Sequence, residues 1–187
     1  MNKGKIILLN GVSSSGKSTL AKELLKRLPD YFHFSIDDFD TIIEKMEDRN
    51  SGHLIRVPTE HFFHRNMAMF SDQGVNLVVD QILHNKDTTK DCYEILHDYP
   101  VFFVGVHCAI NELEKREKER GDRPVGQATS QLNYVHQQGE VYDIEVDTCE
   151  GIEKAVIAIV EKISEITDSK AWKTTIDYYK DADNTRT

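Results

Sequence analysis

The sequence has few cysteines and no long apolar run. Its three cysteines, Cys92, Cys108 and Cys149, are widely spaced and form no C-x-x-C pair, which is typical of reduced thiols rather than of a disulfide framework. No apolar stretch approaches the roughly 20 residues that are needed to cross a bilayer, and no signal peptide is visible. These absences predict a cytoplasmic protein that is not embedded in a membrane.

Positive charge is also in short supply. The 187 residues carry a formal net charge of −9, which argues against a protein that binds nucleic acid through its phosphates. This balance does not exclude a small nucleotide, because a nucleotide needs only a local positive pocket. The length predicts one domain over residues 1–187, with room for a full core.

One glycine-bounded motif stands out among the features that are present. Residues 11–18 read G-V-S-S-S-G-K-S, which matches the phosphate-binding pattern G-x-x-x-x-G-K-[ST]. A short apolar stretch precedes the motif and leucines at helical spacing follow it, so a strand, a loop and a helix are expected in the required order. Backbone amides at the start of that helix, together with its dipole, can hold phosphate oxygens. We therefore predict an ATP site formed by Gly11, Val12, Ser13, Ser14, Ser15, Gly16, Lys17, Ser18 and Thr19.

Short apolar segments alternate with segments of helical periodicity along the chain. Predicted strands are 5–10, 32–36, 75–79, 101–106 and 142–146, and predicted helices are 17–28, 38–47, 59–71, 87–98, 112–120, 127–137 and 150–166. Strands that are apolar almost throughout indicate a parallel sheet covered on both faces. The prediction is a three-layer α/β fold with a five-stranded parallel sheet, a small lid at about 116–137 and a polar tail at 168–187. Within the tail, Trp172, Ile176 and Tyr179 can dock a last short helix, and residues 180–187 are expected to be loose.

Acidic residues follow two of the predicted strands. Asp37 comes directly after the second strand, where a carboxylate can accept the proton of an attacking hydroxyl, and helix capping is the alternative role. Asp80 follows the third strand and is predicted to hold Mg²⁺ together with the Ser18 hydroxyl, or to contact the acceptor with its neighbour Gln81. A simple turn residue is the alternative for Asp80. Lys17 is expected to reach the β- and γ-phosphates.

A charged helix and the loop after it supply arginines. Arg116 and Arg120 share one helix face, and Arg123 follows in a loop bounded by Gly121 and Gly126. Guanidinium groups match the oxygens of a transferring phosphoryl group, so these arginines are predicted to bind ATP and to neutralise charge during transfer. The alternative is a solvated helix laced with i,i+4 ion pairs, which are common on exposed helices.

Several of these motifs resemble the chloramphenicol phosphotransferase family. The resemblance rests on the phosphate-binding loop, on Ile36-Asp37, on the segment from Arg116 to Arg123, and on Gly126, Gln131, Val135-His136, Tyr142-Asp143 and Glu145-Val146-Asp147-Thr148. It implies an ATP-dependent O-phosphotransferase of the nucleotide-kinase-like fold that acts on the primary hydroxyl of chloramphenicol. It also implies that Asp37 is the general base and that Arg120 and Arg123 are the lid arginines. Residues 42–70, which would line the acceptor pocket, do not pair with family positions.

Three histidines are further candidates. His136 follows the lid on a predicted helix, where it is expected either to contact the acceptor or to be a structural histidine. His61 and His64 lie three residues apart on one helix face. Because no acidic third ligand follows in register, an acceptor-pocket or surface role is favoured over a metal site.

Two other functions stay open at this point. One is a nucleoside or nucleotide kinase, and the other is a nucleotide-dependent regulatory protein that switches a partner. The segment Asn85-Lys86-Asp87 falls one position short of the guanine-reading pattern N-K-x-D, so guanine specificity is not expected. The expected partners are ATP, Mg²⁺ and a small hydroxylated substrate, with neither nucleic acid nor membrane. A homo-oligomer and a role in antibiotic resistance are both compatible with the sequence.

Overall fold

A computed structural model describes residues 2–121, 124–165 and 170–184, and its centre is a parallel sheet. The strands are β1 (Ile6–Asn10), β2 (Tyr31–Ser35), β3 (Asn76–Gln81), β4 (Val101–His107) and β5 (Ile144–Asp147). They lie in the order β2-β3-β1-β4-β5, and every pair is parallel. The predicted five-stranded parallel sheet is confirmed. Because the strands all run in one direction, their carboxyl ends meet at one edge of the sheet.

Helices cover both faces of this sheet. Within the described residues they are α1 (Lys17–Arg27), α2 (Ile36–Met46), α3 (Thr59–Asp72), α4 (Lys86–Leu96), α5 (Ile110–Arg120), α6 (Gln127–Gln131), α7 (Ile152–Glu165) and α8 (Ala171–Asn184). A single 3-10 turn, Thr148–Glu150, joins β5 to α7. None of the helices in the described part of the chain is long and apolar enough to span a membrane.

The central strand shows why the strands are apolar almost throughout. Ile6 and Leu8 are fully buried in a core built with α3, α4 and α8. Ile7 and Leu9 are also fully buried, in a second core on the opposite face, built with α1 and α7. Since successive side chains of a strand point to opposite faces, a sheet that is covered on both sides needs apolar residues at every position.

Of the element boundaries that differ from the predictions, three bear on the predicted site residues. β2 ends at Ser35 and α2 begins at Ile36. Asp37 therefore lies in the first turn of a helix and is not the residue directly after the strand. β3 continues to Gln81, because Asp80 and Gln81 pair with Leu9 and Asn10 of β1. The prediction of a helix through 137 is wrong, since α6 ends at Gln131.

A side chain stabilises the non-helical turn around His136. The Glu140 carboxylate accepts hydrogen bonds from the backbone N–H of His136 at 3.2 Å and of Gln138 at 2.7 Å. These bonds satisfy amides in a turn that would otherwise need helical partners. His136 itself adopts a left-handed backbone conformation, with φ of 68°, which no α-helix accommodates.

The C-terminal segment is more ordered than predicted. α8 runs to Asn184, so the expectation of a loose tail from residue 180 is wrong for 180–184, while 168–169 and 185–187 lie outside the described residues. Trp172 is buried against Tyr93 and Phe103, and its Nε1 donates to Leu96 O at 2.9 Å. The apolar positions of this segment recur at helical spacing, which places one stripe of the helix in the core.

Candidate active site

The phosphate loop (residues 11–18) connects β1 to α1, as predicted. Gly16 has a φ of 93°, and a Cβ on Gly11 would lie 2.4 Å from Val106 O. Both positions therefore require glycine, one for its backbone angles and the other for close approach. The loop carries the chain into the amino-terminal end of α1, where backbone amides and the helix dipole favour an anion.

Lys17 folds over the loop that contains it. The residue is 8% exposed, and its Nζ donates to Gly11 O and to Val12 O, each at 2.8 Å. Two side chains from distant segments also hold the loop. Gln131 Oε1 accepts from Ser13 N at 2.7 Å, and Thr148 Oγ1 donates to Ser15 O at 2.7 Å. The loop is thus fixed by contacts from α6 and from the turn after β5.

A cleft of about 330 Å³ opens at the carboxyl edge of the sheet. It is lined by residues from four parts of the chain that the sequence analysis selected, namely Lys17, Ser18, Asp37, Asp80, Arg116 and Arg120. Cationic side chains lie on the loop and on α5, and carboxylates lie at the start of α2 and at the end of β3. This arrangement can hold a polyphosphate beside a carboxylate.

Asp37 is the second residue of α2 and is exposed to the cleft. The N-cap of α2 is Ser35, so Asp37 does not have the capping position that was the alternative for it. An acidic residue in the first turn is nonetheless stabilised by the helix dipole. The structure therefore places Asp37 in the lining of the same cleft as the phosphate loop.

Asp80 lies on β3, which is between β2 and β1 in the sheet. It is 4% exposed, and burial raises its pKa, but contacts with His33, Ser18 and Ser35 more than offset this effect and hold the pKa below its ordinary value. His33 Nε2 is 3.4 Å from Asp80 Oδ1, yet this oxygen accepts no hydrogen bond from any described residue. Asp80 is therefore a carboxylate with a low pKa and one buried oxygen that no hydrogen bond satisfies, next to the Ser18 hydroxyl.

These two oxygen donors fit Mg²⁺. A carboxylate and a hydroxyl are the hard ligands that the ion prefers, and Mg²⁺ commonly keeps several waters and phosphate oxygens as its other ligands. Within residues 2–121, 124–165 and 170–184, no group of three or more His, Cys, Asp or Glu residues is arranged to hold a metal ion.

The three predicted arginines have different positions. Arg116 Nη1 donates to Ser14 O and to Thr148 Oγ1, each at 3.2 Å, and its Nε donates to Glu112 at 3.0 Å. Arg116 therefore makes the i,i+4 ion pair of the alternative reading and also contacts the phosphate loop. Arg120 is exposed and lines the cleft. Arg123 lies outside the described residues.

Gln81 does not line the cleft with its neighbour Asp80. Its side chain is on the other face of the sheet, 1% exposed, with Nε2 2.7 Å from His64 Nε2. His64 is fully buried, and its Nδ1 is 2.7 Å from Asp91 Oδ2. A surface role for His64 is therefore wrong, and both of its ring nitrogens are engaged. His61 is partly exposed, with Nδ1 3.6 Å from Asp91 Oδ1.

His136 is not among the residues that line the cleft. Its Nδ1 is 2.7 Å from the Tyr142 hydroxyl, which accepts from Asn10 Nδ2 at 2.9 Å. Burial lowers the pKa of His136 to about 4, and the nearby His107 and Lys17 add to this effect. A neutral His136 thus joins the turn after α6 to the residue that precedes the phosphate loop.

Glu117 has a role that sequence reasoning missed. It is fully buried on α5, and its carboxylate accepts from Gly126 N and from Ala128 N, each at 2.7 Å. It thereby ties α5 to the start of α6. In the sequence this residue is one of several Glu residues in a Lys- and Glu-rich helix, and no local signal separates it from its exposed neighbours. Glu119, Ile82 and Ile152 also line the cleft without a prior signal.

The sheet order and the loop after the central strand define a class, the phosphate-loop proteins of the nucleotide-kinase-like fold. The chain belongs to the chloramphenicol phosphotransferase-like family, whose model matches residues 4–165. It is 28% identical to a provisionally named O-phosphotransferase of Mycobacterium tuberculosis (strain ATCC 25618 / H37Rv), over 79% of this chain and 76% of that protein. The predicted family resemblance is confirmed.

Solved structures of kinases share the fold. An APS kinase of Mycobacterium tuberculosis, solved with AMPPNP and APS, superposes with a TM-score of 0.63 at 16% identity, over 88% of this chain and 99% of that one. A gluconokinase of Sinorhizobium meliloti 1021 gives 0.63 at 20% identity, over 87% of this chain and 93% of that one. Together with the family, these likenesses support a phosphotransferase of the kinase type.

Proposed function

We propose that the protein is a cytoplasmic, ATP-dependent phosphotransferase that moves the γ-phosphate of ATP to a hydroxyl of a small molecule. The observation that carries the proposal is the cleft itself. It is lined by Lys17 of the phosphate loop and by Asp37, and Asp80 lies on β3, between the strands that lead to these two residues. A hydrolase or a switch needs no carboxylate facing a second substrate, whereas a kinase does.

The loop side binds and polarises the nucleotide. The amides of residues 11–18 and the dipole of α1 hold the phosphates, while Lys17, Arg116 and Arg120 neutralise the charge that spreads over the transferring group. Ser18 and Asp80 would hold Mg²⁺, which when bound withdraws charge from the phosphate oxygens. Arg123 and α6 belong to the segment that we expect to close over the site and exclude water.

The acceptor side activates a hydroxyl. As the hydroxyl oxygen forms its bond to the γ-phosphorus, the bond from that phosphorus to the β,γ-bridging oxygen breaks and ADP leaves. The proton of the hydroxyl passes to the Asp37 carboxylate, which acts as the general base. The exposed position of Asp37 at the start of α2 gives an acceptor access to it from solvent.

We further propose that the acceptor is a small alcohol of the kind that the family name describes. The family model and the name of the M. tuberculosis relative both support transfer to oxygen. Chloramphenicol is the first compound to test, and antibiotic inactivation would be the physiological role if it is used.

The test is a direct search for a phosphorylated product. The protein is incubated with ATP, Mg²⁺ and a panel of chloramphenicol, other hydroxylated antibiotics, sugar acids and nucleosides, and mass spectrometry follows the gain of one phosphate. The proposal predicts a product with a non-nucleoside alcohol, and Asp37→Asn serves as the matched inactive control. Product from nucleosides alone would show a nucleoside kinase, and ATP hydrolysis without any product would show a regulatory protein.

A further inference from the structure

Two of the three cysteines lie side by side at the edge of the sheet that carries the cleft. Cys108 follows β4, Cys149 lies in the 3-10 turn after β5, and their sulfur atoms are 3.0 Å apart. The two residues are 41 positions apart in the sequence, so only the pairing of β4 with β5 brings them together. Cys149 is exposed and Cys108 is partly buried, whereas Cys92 is buried in the core.

We propose that Cys108 and Cys149 are an oxidation site that forms an intramolecular disulfide and thereby weakens nucleotide binding. Both thiols are present in the reduced protein, in keeping with the absence of a disulfide framework. The pair does not contribute to the phosphate-transfer machinery described above. It is therefore available for a separate, reversible modification.

The chemistry balances with hydrogen peroxide as the oxidant. Cys149 Sγ, the more accessible sulfur, attacks a peroxide oxygen, the O–O bond breaks, and the thiol proton leaves with the departing hydroxide as water. Cys108 Sγ then attacks the resulting sulfenic acid, the S–O bond breaks, and a second water carries away the Cys108 proton. Two thiols have lost two electrons and two protons, and the peroxide has become two waters. Burial and the neighbouring Cys149 thiol raise the pKa of Cys108 to about 12, which makes Cys108 the second sulfur to react.

The position of the pair connects it to the phosphate loop. Thr148, directly before Cys149, donates from Oγ1 to Ser15 O at 2.7 Å and accepts from Arg116 at 3.2 Å. The same hydroxyl is 3.4 Å from the carbonyl of His107, directly before Cys108. The methyl group of Thr148 would also be 3.3 Å from a Cβ on Gly16. The loop, Thr148 and the two cysteines therefore form one packed group.

Disulfide formation changes the spacing within this group. The sulfur atoms must approach from 3.0 Å to a bond of about 2.05 Å. Cys149 and Thr148 are neighbours in one short 3-10 turn, so we expect this turn to take up part of the movement. We expect the contacts of Thr148 with Ser15 and Arg116 to be displaced, and with them the cradle for phosphate.

The first experiment tests the disulfide alone. The full chain is treated with hydrogen peroxide, digested without reduction and mapped by mass spectrometry. We expect a single cross-link between the peptides of Cys108 and Cys149, with Cys92 still a thiol. Cys92→Ala is the matched control and must keep the cross-link, whereas Cys149→Ser must abolish it. A pair that stays reduced, or a cross-link between two chains, would overturn the site.

The second experiment tests the coupling and rests on the proposed function, because its readout is ATP binding. We expect the oxidised protein to bind ATP at least about fivefold more weakly, with full recovery after treatment with a dithiol and no change in Cys149→Ser. Unchanged or tighter binding in the cross-linked protein would refute the coupling. If the reduced protein does not bind ATP, the proposed function and the coupling both fail, while the peptide map still decides the disulfide.

Discussion

The two sides of the cleft are built in opposite ways. The phosphate loop is buried and held by its own glycines, by Lys17 and by contacts from Gln131 and Thr148. The proposed acceptor side is α2, which has no buried residue and carries Ile42 at 51% and Met46 at 63% exposure. Under the proposed function, phosphate is bound by a tightly held local loop, whereas the acceptor meets a thinly packed surface that can change without disturbing the core.

Charge separates the two sides as well. The loop side carries Lys17, Arg116 and Arg120, while the acceptor side is acidic. Burial raises the pKa of Asp40, a hydrogen bond with Thr59 opposes this rise, and the nearby carboxylates of Glu60, Asp37 and Glu44 add to it. Repulsion within this group favours an acceptor that brings no negative charge to α2.

Asp37→Asn should have the largest effect on activity, and this effect should be confined to the proposed acceptor side. Loss of the general base should lower kcat by about 100- to 10,000-fold. The dissociation constant for ATP should change by less than about twofold, because the loop side is untouched. Steady-state kinetics and ATP titration measure the two effects. Asp38→Asn, in the same helical turn but outside the cleft lining, is the control, and an equal loss in both variants would argue against Asp37.

Lys17→Ala tests the loop side. Removing a cation that faces the transferring phosphate should reduce kcat by about 100- to 1,000-fold and weaken ATP binding as well. The same assays apply, and Lys22→Ala on the exposed face of α1 is the control. Normal ATP binding and turnover in Lys17→Ala would show that the loop does not serve ATP.

Thr148→Val tests whether the Thr148 hydroxyl holds the phosphate loop in place. It keeps the side-chain shape but removes the hydroxyl that bonds Ser15 O and Arg116. Loss of about 1 kcal/mol from these bonds corresponds to a roughly fivefold weaker affinity for ATP. Calorimetry measures the change, and Thr174→Val on the exposed face of α8 is the control. An unchanged affinity would mean that the loop is held without Thr148.

His136→Asn is expected to change stability at acidic pH and not phosphate transfer. An unfolded histidine takes up a proton near its ordinary pKa of 6.5, but His136 in the folded protein does so only near 4. The unfolded state thus binds more protons between these values, so the free energy of unfolding should fall as pH drops from about 6.5 to 4.

Urea titrations across this pH range give the slope. His136→Asn should flatten it, and asparagine tolerates the left-handed backbone at this position. The exposed His53→Asn is the control and should leave the slope as it is in the parent protein. An identical slope in His136→Asn would remove His136 as its source.

Local patterns predicted the loop side well. The glycines, Lys17 and Ser18 fall within one eight-residue motif, and the hydrophobic periodicity of the flanking segments predicts the strand and the helix. Asp37 lines the cleft as expected, but it lies in the first turn of α2, whereas the sequence analysis placed it between the strand and the helix. The change from strand to helix at Ser35 has no Gly or Pro to mark it. Thus a sequence pattern found the residue without finding its exact local structure.

The features that the sequence analysis missed depend on contacts with residues outside each predicted element. Glu117 looks like any exposed glutamate until α6 folds onto it. Gln81 is adjacent to Asp80, yet strand alternation sends its side chain to His64 on the opposite face. The helix expected around His136 fails because Glu140 takes two of the amides. In each case, the deciding partner comes from outside the local pattern.

A crystal structure with a non-hydrolysable ATP analogue and Mg²⁺ tests the central claim most directly. We expect the triphosphate to lie on the amides of residues 11–18, with its terminal phosphate between Lys17 and Asp37. A nucleotide bound elsewhere, or an Asp37 carboxylate turned away from that terminal phosphate, would contradict it.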